Sequence, residues 1–396
     1  MPRVVKVKKK VLIETEPGMG IWTNTSYCRK SGVGLLQVFG QSVASDTAGK
    51  VFKRTSKDNG RSWSSPTLLF EPQRTDEGVI RWGENAFLLD AEKDALVFFH
   101  NHHIYPETNF TGDVERFTKI FYGISWNGRE DFGDLKQLIQ DGYGPGDWAK
   151  GITFGENNAA VSFCTPVKTS EGKVVLPVQK CPIDSDYTNP WLIKWQAGCF
   201  LGEWKGRELK WDLSEIVEID PQLSSRGLCE PAIAELRDGS LLMICRGSNH
   251  TMPSVPGYKW FAISRDGGHG WTRVSPFRYD DGCNFFSPAT GSILIRSVRN
   301  GRLYWFGNIV PENPDGNRPR YPLQMAEVDE DKIGVRRDSV VVIDDRRQTN
   351  SSLVQLSNFK VHQDRETGEF VLEMTRYQEK GEELTSPAYE YRIDIT

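Results

Sequence analysis

The fold is decided by Ser56-Lys-Asp-Asn-Gly-Arg-Ser-Trp63, a segment that returns later in the chain as Ser264-Arg-Asp-Gly-Gly-His-Gly-Trp271. Both copies follow the pattern Ser-x-Asp-x-Gly-x-[Ser/Thr]-Trp, except that Gly270 replaces the hydroxyl residue. In such a turn the Asp carboxylate accepts backbone N–H bonds, the glycine supplies a positive φ, and the tryptophan packs against a neighbouring element. Residues 125–132 are a degenerate third copy. A turn repeated in this way predicts a fold built from repeated units.

A hairpin unit recurs along the chain at intervals of about 60 residues. It is clearest in 230–246, where a short strand and a charged turn with glycine lead into an apolar strand that ends at Arg246. The same outline returns in 27–41, 84–100, 164–180, 287–308 and 356–376. These six hairpins and the repeated turn predict an all-β protein, a single β-propeller over residues 1–396. The last strand, near 389–395, lacks a partner, which we expect the N-terminal strand at 4–15 to supply.

Composition narrows the classes of function. The 49 Lys and Arg residues against 53 Asp and Glu give a net charge of −4, which lacks the basic footprint of a nucleic-acid binder. There is no run of 18 apolar residues, which argues against a membrane-spanning helix. The seven cysteines include no Cys-x-x-Cys spacing, so a zinc ribbon has no support, and their odd number leaves at least one thiol unpaired within the chain.

We expect a secreted monomer whose signal peptide is absent from this sequence. The first 20 residues contain a lysine cluster but no apolar h-region. Four Asn-x-Ser/Thr sequons, which favour secretion mildly, begin at Asn24, Asn109, Asn249 and Asn350.

Strand order assigns each loop of a propeller to one of two faces. The Ser-x-Asp turns lie on one face, whereas the ends of second strands and the starts of first strands meet around the channel on the other. The side chains expected there are mostly cations, amides and imidazoles: Arg81, His100, His102, His103, Lys180, Arg226, Glu230, Arg246 and Asn308. Converging cations and histidines in a concavity predict a binding site. The competing interpretation is a solvated rim that binds nothing.

The histidines are unevenly distributed. Three of the six, His100, His102 and His103, fall within four residues at one predicted strand end. Such a cluster at a channel mouth is typical of acid–base machinery or of a metal site. His100 and His102 share one side of the strand and could ligate calcium or zinc together, although the spacing supplies no third ligand. No cofactor is required, and a metal ion is the second hypothesis.

Several longer segments resemble a known group. They include Gly316-Asn-Arg-Pro-Arg-Tyr-Pro322 and Val342-Ile-Asp-Asp-Arg346, together with 229–248, 256–260, 279–282 and 286–288. The Ser-x-Asp turn resembles the Asp-box of sialidases and their propeller relatives. The longer segments are similar to uronate-cleaving propeller lyases, a group that includes ulvan lyases, and most of all to the L-rhamnose-α-1,4-D-glucuronate lyases that trim gum arabic and arabinogalactan.

The resemblance has consequences for the fold and for the partner. It implies seven blades, one more than the six hairpins, with the extra blade within 133–165 or 185–215. It also implies that the partner is an acidic side chain of a plant polysaccharide.

The reaction that the resemblance implies is β-elimination at a 4-O-linked glucuronate, which releases rhamnose and leaves an unsaturated uronate. Cations would neutralise the sugar carboxylate and stabilise the intermediate. A base removes the C5 proton and an acid protonates the departing 4-oxygen; imidazole suits both tasks near neutral pH. His102 or His103 is the expected base and acid, and Tyr122 is either a second proton donor or a core residue. The candidate neutralisers are Arg226, Arg246 and Lys180, and Arg320 extends the cationic set.

Two other function classes stay open beside a carbon–oxygen lyase acting on polysaccharides. A sialidase-type hydrolase needs two carboxyl groups, or Tyr with Glu, for which Glu84, Glu230 and Asp280 are available. The Arg-Ile-Pro segment that sialidases share is absent. A non-catalytic propeller that binds glycans is the third class. Trp260 could stack on a sugar face in any of them, although packing between blades is the commoner role of a propeller tryptophan.

Overall fold

The computed structural model of the chain describes residues 5–42, 49–105, 117–182, 193–381 and 383–395. Its strands form six blades around a central channel, which makes the protein an all-β, six-bladed propeller. Among the described residues, one short 3₁₀ turn at Arg337–Ser339 is the only helical element. No helix in this part of the chain has the length and apolar character needed to cross a membrane.

The first half of the chain forms blades 1 to 3. After β1 (Val5–Ile13), blade 1 comprises β2 (Gly20–Tyr27), β3 (Leu35–Ser42), β4 (Val51–Ser56) and β5 (Thr67–Phe70). Blade 2 comprises β6 (Gln73–Thr75), β7 (Gly78–Asp90), β8 (Ala95–Tyr105), β9 (Phe117–Trp126) and β10 (Lys136–Gln137). A small hairpin of β11 (Asp147–Ala149) and β12 (Ile152–Thr153) leads to blade 3, which comprises β13 (Ala159–Ala160), β14 (Val167–Lys168), β15 (Val174–Lys180), β16 (Gln196–Lys205) and β17 (Glu208–Leu213).

The second half forms blades 4 to 6. Blade 4 comprises β18 (Cys229–Glu235), β19 (Leu241–Arg246), β20 (Lys259–Ser264) and β21 (Ser275–Pro276). Blade 5 comprises β22 (Arg278–Tyr279), β23 (Ile293–Arg296), β24 (Leu303–Gly307), β25 (Leu323–Asp329), β26 (Gly334–Val335) and β27 (Val341–Asp344). Blade 6 comprises β28 (Phe359–Gln363), β29 (Phe370–Thr375) and β30 (Ala388–Ile395).

The N-terminal strand closes the ring of blades. β1 pairs antiparallel with β30, from Val5 opposite Ile395 to Ile13 opposite Ala388, so it is the fourth strand of blade 6. Its outward residues Lys6, Lys8 and Lys10 are exposed. Lysines on an exposed edge strand oppose pairing with a second chain.

The hydrophobic core lies between the blades. Every residue of β8 is buried, as are all but one of β15, because neighbouring blades cover both faces of these second strands. Their apolar side chains join clusters that span two blades, such as the one shared by Phe99, Leu176 and Trp211. Each fully buried side chain of this kind contributes on the order of 1.5–3 kcal/mol.

The prediction of a seventh blade, which the resemblance implied, is wrong. Residues 133–165 contain the outer strand β10, the β11–β12 hairpin and β13, and the described part of 185–215 forms β16 and β17 of blade 3. Residues 185–192 lie outside the described residues. Blades 6 and 1 are already joined, since the Thr25 hydroxyl donates to Glu373 over 2.5 Å. The ring therefore has no gap for another blade, and the six hairpins visible in the sequence are the six blades.

The Asp-boxes and the turns between first and second strands share one end of the propeller, which we call the turn face. The hydroxyl and backbone N–H of Ser62 and the Ser56 hydroxyl donate to Asp58, and these bonds lower its pKa to about 2. Asp266 accepts from the Gly270 N–H over 2.9 Å. Both carboxylates lie at the opposite end of their blades from His100–His103, as the strand order predicts.

A closed ring of polar contacts joins the blades on the turn face. Each of the six interfaces has at least one hydrogen bond between neighbouring blades. In ring order the bonds run from the Lys30 N–H to Asp94, from Lys168 to Asp90, from the Ser170 N–H to Glu235, from the Arg237 N–H to Glu330, from Arg299 to the Thr367 carbonyl, and from Asn59 to Asp364.

The sequons and cysteines are mostly enclosed by this fold. The Asn24 amide donates to Asn85 over 2.8 Å and the Asn249 amide donates to the Pro314 carbonyl over 2.8 Å, and both asparagines are buried. The Asn350 amide donates to Glu379, and Asn109 lies outside the described residues. All seven cysteines are free thiols, six of them buried. The buried amides of Asn24 and Asn249 cannot carry a glycan in this folded state.

Candidate functional site

The end of the propeller opposite the turn face is the channel mouth, and Phe163 forms its floor. Phe163 belongs to blade 3, yet it packs edge-to-face on Phe359 of blade 6, with ring centroids 5.1 Å apart. A Cβ atom at Gly291 of blade 5 would lie 2.0 Å from the Phe163 ring, so glycine is required there. Phe163 itself has a φ of +46°, a conformation that a large side chain rarely adopts. Phe163 therefore links blades 3, 5 and 6 at the channel.

Above this floor lie six charged side chains, which we call the channel-mouth cluster: Glu84, Glu230, Arg246, Lys259, Arg320 and Lys360. They come from blades 2, 4, 5 and 6. Four cations against two carboxylates give the cluster a formal charge of +2, although the whole chain carries −4. A local cationic excess in a concavity concentrates anionic ligands that the overall charge would not attract.

Glu230 and Arg246 form the centre of the cluster. Arg246 ends β19 and donates from Nη1 to Glu230 and from Nη2 to Asn317 Oδ1 over 3.1 Å. Glu230 has a φ of +46° at a β-bulge in β18, and its N–H donates to Gln179 of blade 3 over 3.3 Å. A left-handed glutamate costs on the order of 1–3 kcal/mol and persists where the surroundings fix it. This strain lies at the carboxylate that meets the arginine, where functional sites often carry it.

Lys259 lies beneath this pair and is fully buried. Its ammonium donates to the Pro288 and Thr290 carbonyls and to the Thr290 hydroxyl, so three acceptors surround it. Burial lowers the pKa of Lys259 to about 7, with Glu230 opposing the shift and Arg246 and Arg320 adding to it.

Arg320 extends the cluster from the loop between the second and third strands of blade 5. Its Nε donates to the Asn317 carbonyl over 3.2 Å, and Nη1 donates to Gln355 over 2.5 Å. Asn317 thus contacts both arginines, through its side chain and its backbone. The two guanidinium groups are held at one side of the mouth, where a carboxylate can meet them.

Lys360 reaches the channel from the first strand of blade 6. Its half-buried ammonium donates to the Cys164 carbonyl over 3.2 Å and lies 5.4 Å from the centroid of the Phe163 ring. Burial lowers the pKa of Lys360, while Cys164, Glu84 and Glu230 oppose the shift.

The structure does not bring His100 and His102 to the mouth. Strand alternation directs both rings into the interface between blades 1 and 2. His102 is stacked on Phe121 at 3.8 Å and meets the edge of Trp82 at 3.7 Å, while Phe70 packs 5.2 Å from His100. Burial lowers the pKa of His102 to about 3 and that of His100 well below its ordinary value. These are the surroundings of neutral packing residues.

His103 points to the other side of β8 and lies closer to the cluster. Its Nδ1 is 2.9 Å from the Thr118 hydroxyl, and a Cβ atom at Gly83, the neighbour of Glu84, would lie 2.1 Å from its Nε2. Arg81 is opposite His103 in the strand register and is half-buried. Of the three clustered histidines, His103 is therefore the one whose ring lies outside the aromatic stack between blades 1 and 2.

Three other predicted site residues are buried in interfaces between blades. The Tyr122 ring packs 5.6 Å from Trp211, and its hydroxyl points at the Leu209 carbonyl. These contacts fit the expectation that Tyr122 is a core residue. Trp260 is buried between blades 3 and 4. Asn308 is fully enclosed and donates to the Pro322 and Leu356 carbonyls. Each is a structural residue by its surroundings.

Lys180 and Arg226 lie near the mouth but apart from the cluster. Lys180 is buried and donates to Gln196 and to the Cys181 carbonyl. The Arg226 carbonyl accepts from the Trp195 N–H over 3.0 Å. Burial raises the pKa of Cys229, and Arg246 and Arg226 oppose that rise, so Arg226 approaches the cluster through Cys229.

The sequence reasoning missed Lys259, Lys360 and Asn317. Lys259 begins β20 and Lys360 is the second residue of β28, so both stand at strand ends on the mouth side. A search for every cation at a strand end, and not only at the ends of second strands, would have found the two lysines. Asn317 lies in a long loop whose path no spacing rule predicts.

The metal hypothesis gains no support from geometry. Within the described ranges, no three His, Cys, Asp or Glu side chains are grouped so that they could hold a metal ion. His100 and His102 point into an aromatic stack.

No protein-family profile and no curated protein matches the sequence, but many solved structures share its fold. A protein of unknown function from Dyadobacter fermentans aligns over 99% of both chains with a TM-score of 0.66 at 12% identity. A Hadza microbial sialidase aligns over 95% of this chain and 66% of its own, with a TM-score of 0.64 at 11% identity. The intramolecular trans-sialidase from Ruminococcus gnavus aligns over 94% of this chain and 93% of its own, with a TM-score of 0.59 at 12% identity. At these identities the likeness shows the propeller fold alone.

Proposed function

We propose that the protein is a carbohydrate-active enzyme that binds the carboxylate of an acidic sugar in the channel-mouth cluster. The observation that carries this proposal is the pair of guanidinium groups, Arg246 and Arg320, which both donate to Asn317. Arginine matches a carboxylate bidentately, and the excess of two positive charges favours an anionic ligand. Sialidases share the fold, and so does a trans-sialidase whose structure contains oseltamivir carboxylate.

The reaction we propose is β-elimination at a 4-O-linked, rhamnosyl glucuronate. Arg246 and Arg320 would neutralise the carboxylate and so acidify the adjacent C5–H. His103 would accept the C5 proton, the C4–O4 bond would break with its electron pair moving to O4, and a proton donor would complete the rhamnose hydroxyl. The products are free rhamnose and an unsaturated uronate. The partner would be an acidic plant polysaccharide, met outside the cell by a monomeric, secreted enzyme.

A hydrolase of sialidase type is the second candidate, because Glu84 and Glu230 both belong to the cluster. Two carboxyl groups beside one bond can act as acid and nucleophile or base. Glu230 is ion-paired with Arg246, and Glu84 is exposed, so their environments differ as those two roles require. The two candidates yield different products from one substrate.

The test is incubation of the protein with gum arabic while released rhamnose and the ultraviolet absorbance of an unsaturated uronate are followed together. We expect both signals to rise in parallel. Rhamnose or another sugar released without the absorbance would replace the lyase by the hydrolase. Binding to the polysaccharide with no released product would make the protein a non-catalytic glycan binder.

A further inference from the structure

The proposed elimination needs a proton donor at the departing oxygen, and most groups of the cluster cannot supply one. Arginine does not lose its proton in proteins, which excludes Arg246 and Arg320. Lys259 is fully buried, and its three donor positions are matched by three acceptors. The Tyr122 hydroxyl points into the core between blades 2 and 3.

Lys360 differs from these groups because its ammonium has more N–H donors than acceptors in the described part of the chain. Its ammonium carries three N–H bonds, and in the described part of the chain it donates to one acceptor, the Cys164 carbonyl. The side chain is half-buried, and its ammonium lies 5.4 Å from the centroid of the Phe163 ring at the channel floor. It belongs to the same cluster as the arginines through Glu230.

The titratable groups around Lys360 come from four parts of the chain. Glu84 of β7, Cys164 beyond β13 and Glu230 of β18 face its ammonium. Glu373 of β29 stands opposite Lys360 in the strand register, and it is buried where it accepts from Thr25 and Gln37. The negative charges of Glu84 and Glu230 favour the protonated form of the Lys360 ammonium.

We infer that Lys360 is the catalytic acid that protonates the departing 4-oxygen, an inference that rests on the proposed elimination. His103 takes the C5 proton, the electron pair of the C4–O4 bond goes to O4, and O4 receives a proton from Lys360 Nζ. Lysine leaves the step as a neutral amine and regains its proton from water, while the imidazolium releases one. The step therefore needs no co-reactant.

The test compares Lys360→Met and Lys360→Arg on two substrates. One is the natural rhamnosyl glucuronate; the other is a glucuronate that carries 4-nitrophenol at O4, which departs without protonation. On the natural substrate we expect both variants to lose about 10²–10⁴-fold in kcat. On the nitrophenyl substrate we expect both to stay within about tenfold of the wild type, since a leaving group of this kind needs no acid.

The Lys360→Arg variant separates charge from proton transfer. It keeps the positive charge between the glutamates but cannot give up a proton, so its loss on the natural substrate should match that of Lys360→Met. On the natural substrate, the activity of the wild type should fall as pH rises and the ammonium deprotonates. On the nitrophenyl substrate, this fall in the pH–rate profile should be absent. Lys136→Met, which breaks an exposed ion pair with Glu208, is the matched control and should change neither rate.

Three results would overturn the inference. Equal losses on both substrates would make Lys360 a binding or structural residue while leaving the lyase intact. Full activity of Lys360→Arg on the natural substrate would show that charge alone is needed. A wild type that forms no unsaturated uronate from either substrate would overturn the proposed elimination itself, and the inference with it.

Discussion

The two ends of this propeller contain the same types of charged residue but arrange them differently. On the turn face, carboxylates are paired and shared between blades: Asp364 accepts from Asn59 of blade 1 and from Arg392 of its own blade. At the channel mouth, carboxylates and cations are gathered with cations in excess, and Lys360 keeps unused donors within the described structure. The first arrangement joins the blades into a ring, whereas the second is the one that we propose binds an anionic sugar.

Backbone strain shows the same contrast. Turn-face residues with positive φ include Asn59, Asp94 and Asn127, whose short polar side chains tolerate that conformation, and one β-branched residue, Ile333, whose side chain does not. At the mouth the left-handed residues include Phe163 and Glu230, which do not. Most of these turn-face residues therefore adopt a positive φ at little cost, whereas Phe163 and Glu230 depend on their surroundings to keep it. The predictions below test whether activity and stability divide between the two ends.

The largest effect is expected at His103. His103→Gln removes the proposed base while keeping a polar group near Thr118, so kcat should fall by about 10²–10⁴-fold. Circular dichroism and the thermal midpoint should stay close to those of the wild type. Steady-state kinetics on gum arabic provide the measurement, and a kcat within twofold of the wild type would remove His103 from the mechanism.

The next effect is expected at Arg246. Arg246→Met removes a donor to the sugar carboxylate, and loss of one such contact lowers kcat by about 10²–10³-fold. Arg302→Met is the matched control, because Arg302 also pairs with a glutamate, Glu327, but on the turn face. If both variants lost activity equally, the proposed division between the two ends would be incorrect.

A stability effect without loss of activity is expected at Asp364. Burial acts to raise the pKa of Asp364, but bonds from Arg392, Thr367 and Asn59 lower it from 3.8 to about 2. Asp364→Asn should therefore lower the free energy of unfolding by on the order of 2 kcal/mol at neutral pH, with kcat unchanged.

The pH dependence of that loss has a definite sign. A carboxyl whose pKa is depressed in the folded state stabilises the protein above its unfolded pKa and loses that contribution as pH falls through the folded value. The gap between the wild type and Asp364→Asn, measured by denaturant unfolding, should be complete above pH 4 and shrink towards pH 2. A gap that stayed constant over this range would contradict the ion-pair account.

The smallest effect is expected at His102. Phenylalanine can occupy the stack between Phe121 and Trp82, and it removes a buried Nε2 that has no hydrogen-bond partner in the structure. His102→Phe should therefore change stability by less than about 1.5 kcal/mol and leave kcat within twofold. A loss of more than about 10²-fold would restore His102 as the catalytic histidine.

The sequence predicted the fold well because propeller turns are local. The Asp-boxes at 56–63 and 264–271 and the hairpins carry their own signals, and each hairpin is a blade in the structure. The seventh blade came from the resemblance and not from the repeats. The number of blades depends on how the ring closes, which no single segment encodes.

The site was predicted only in part because strand alternation decides where a side chain points. Arg246 and Glu230 do meet at the mouth, as their strand ends suggested, and Arg320 joins them from a loop. His100 and His102 have the same type of position, yet they point between blades, and Lys360 reaches the channel from a first strand. A shift of one residue in β8 would exchange the sides of His102 and His103, and composition cannot show that register.

The most direct test of the central claim is a binding measurement at the channel mouth. Inactive His103→Gln protein is titrated in a calorimeter with a rhamnosyl-glucuronate oligosaccharide and with the same compound after its carboxyl group is reduced to an alcohol. A charge-assisted hydrogen bond contributes about 1.5–3 kcal/mol, so the native compound should bind at least about tenfold more tightly. Equal affinity for the two compounds would show that the cluster does not bind a sugar carboxylate.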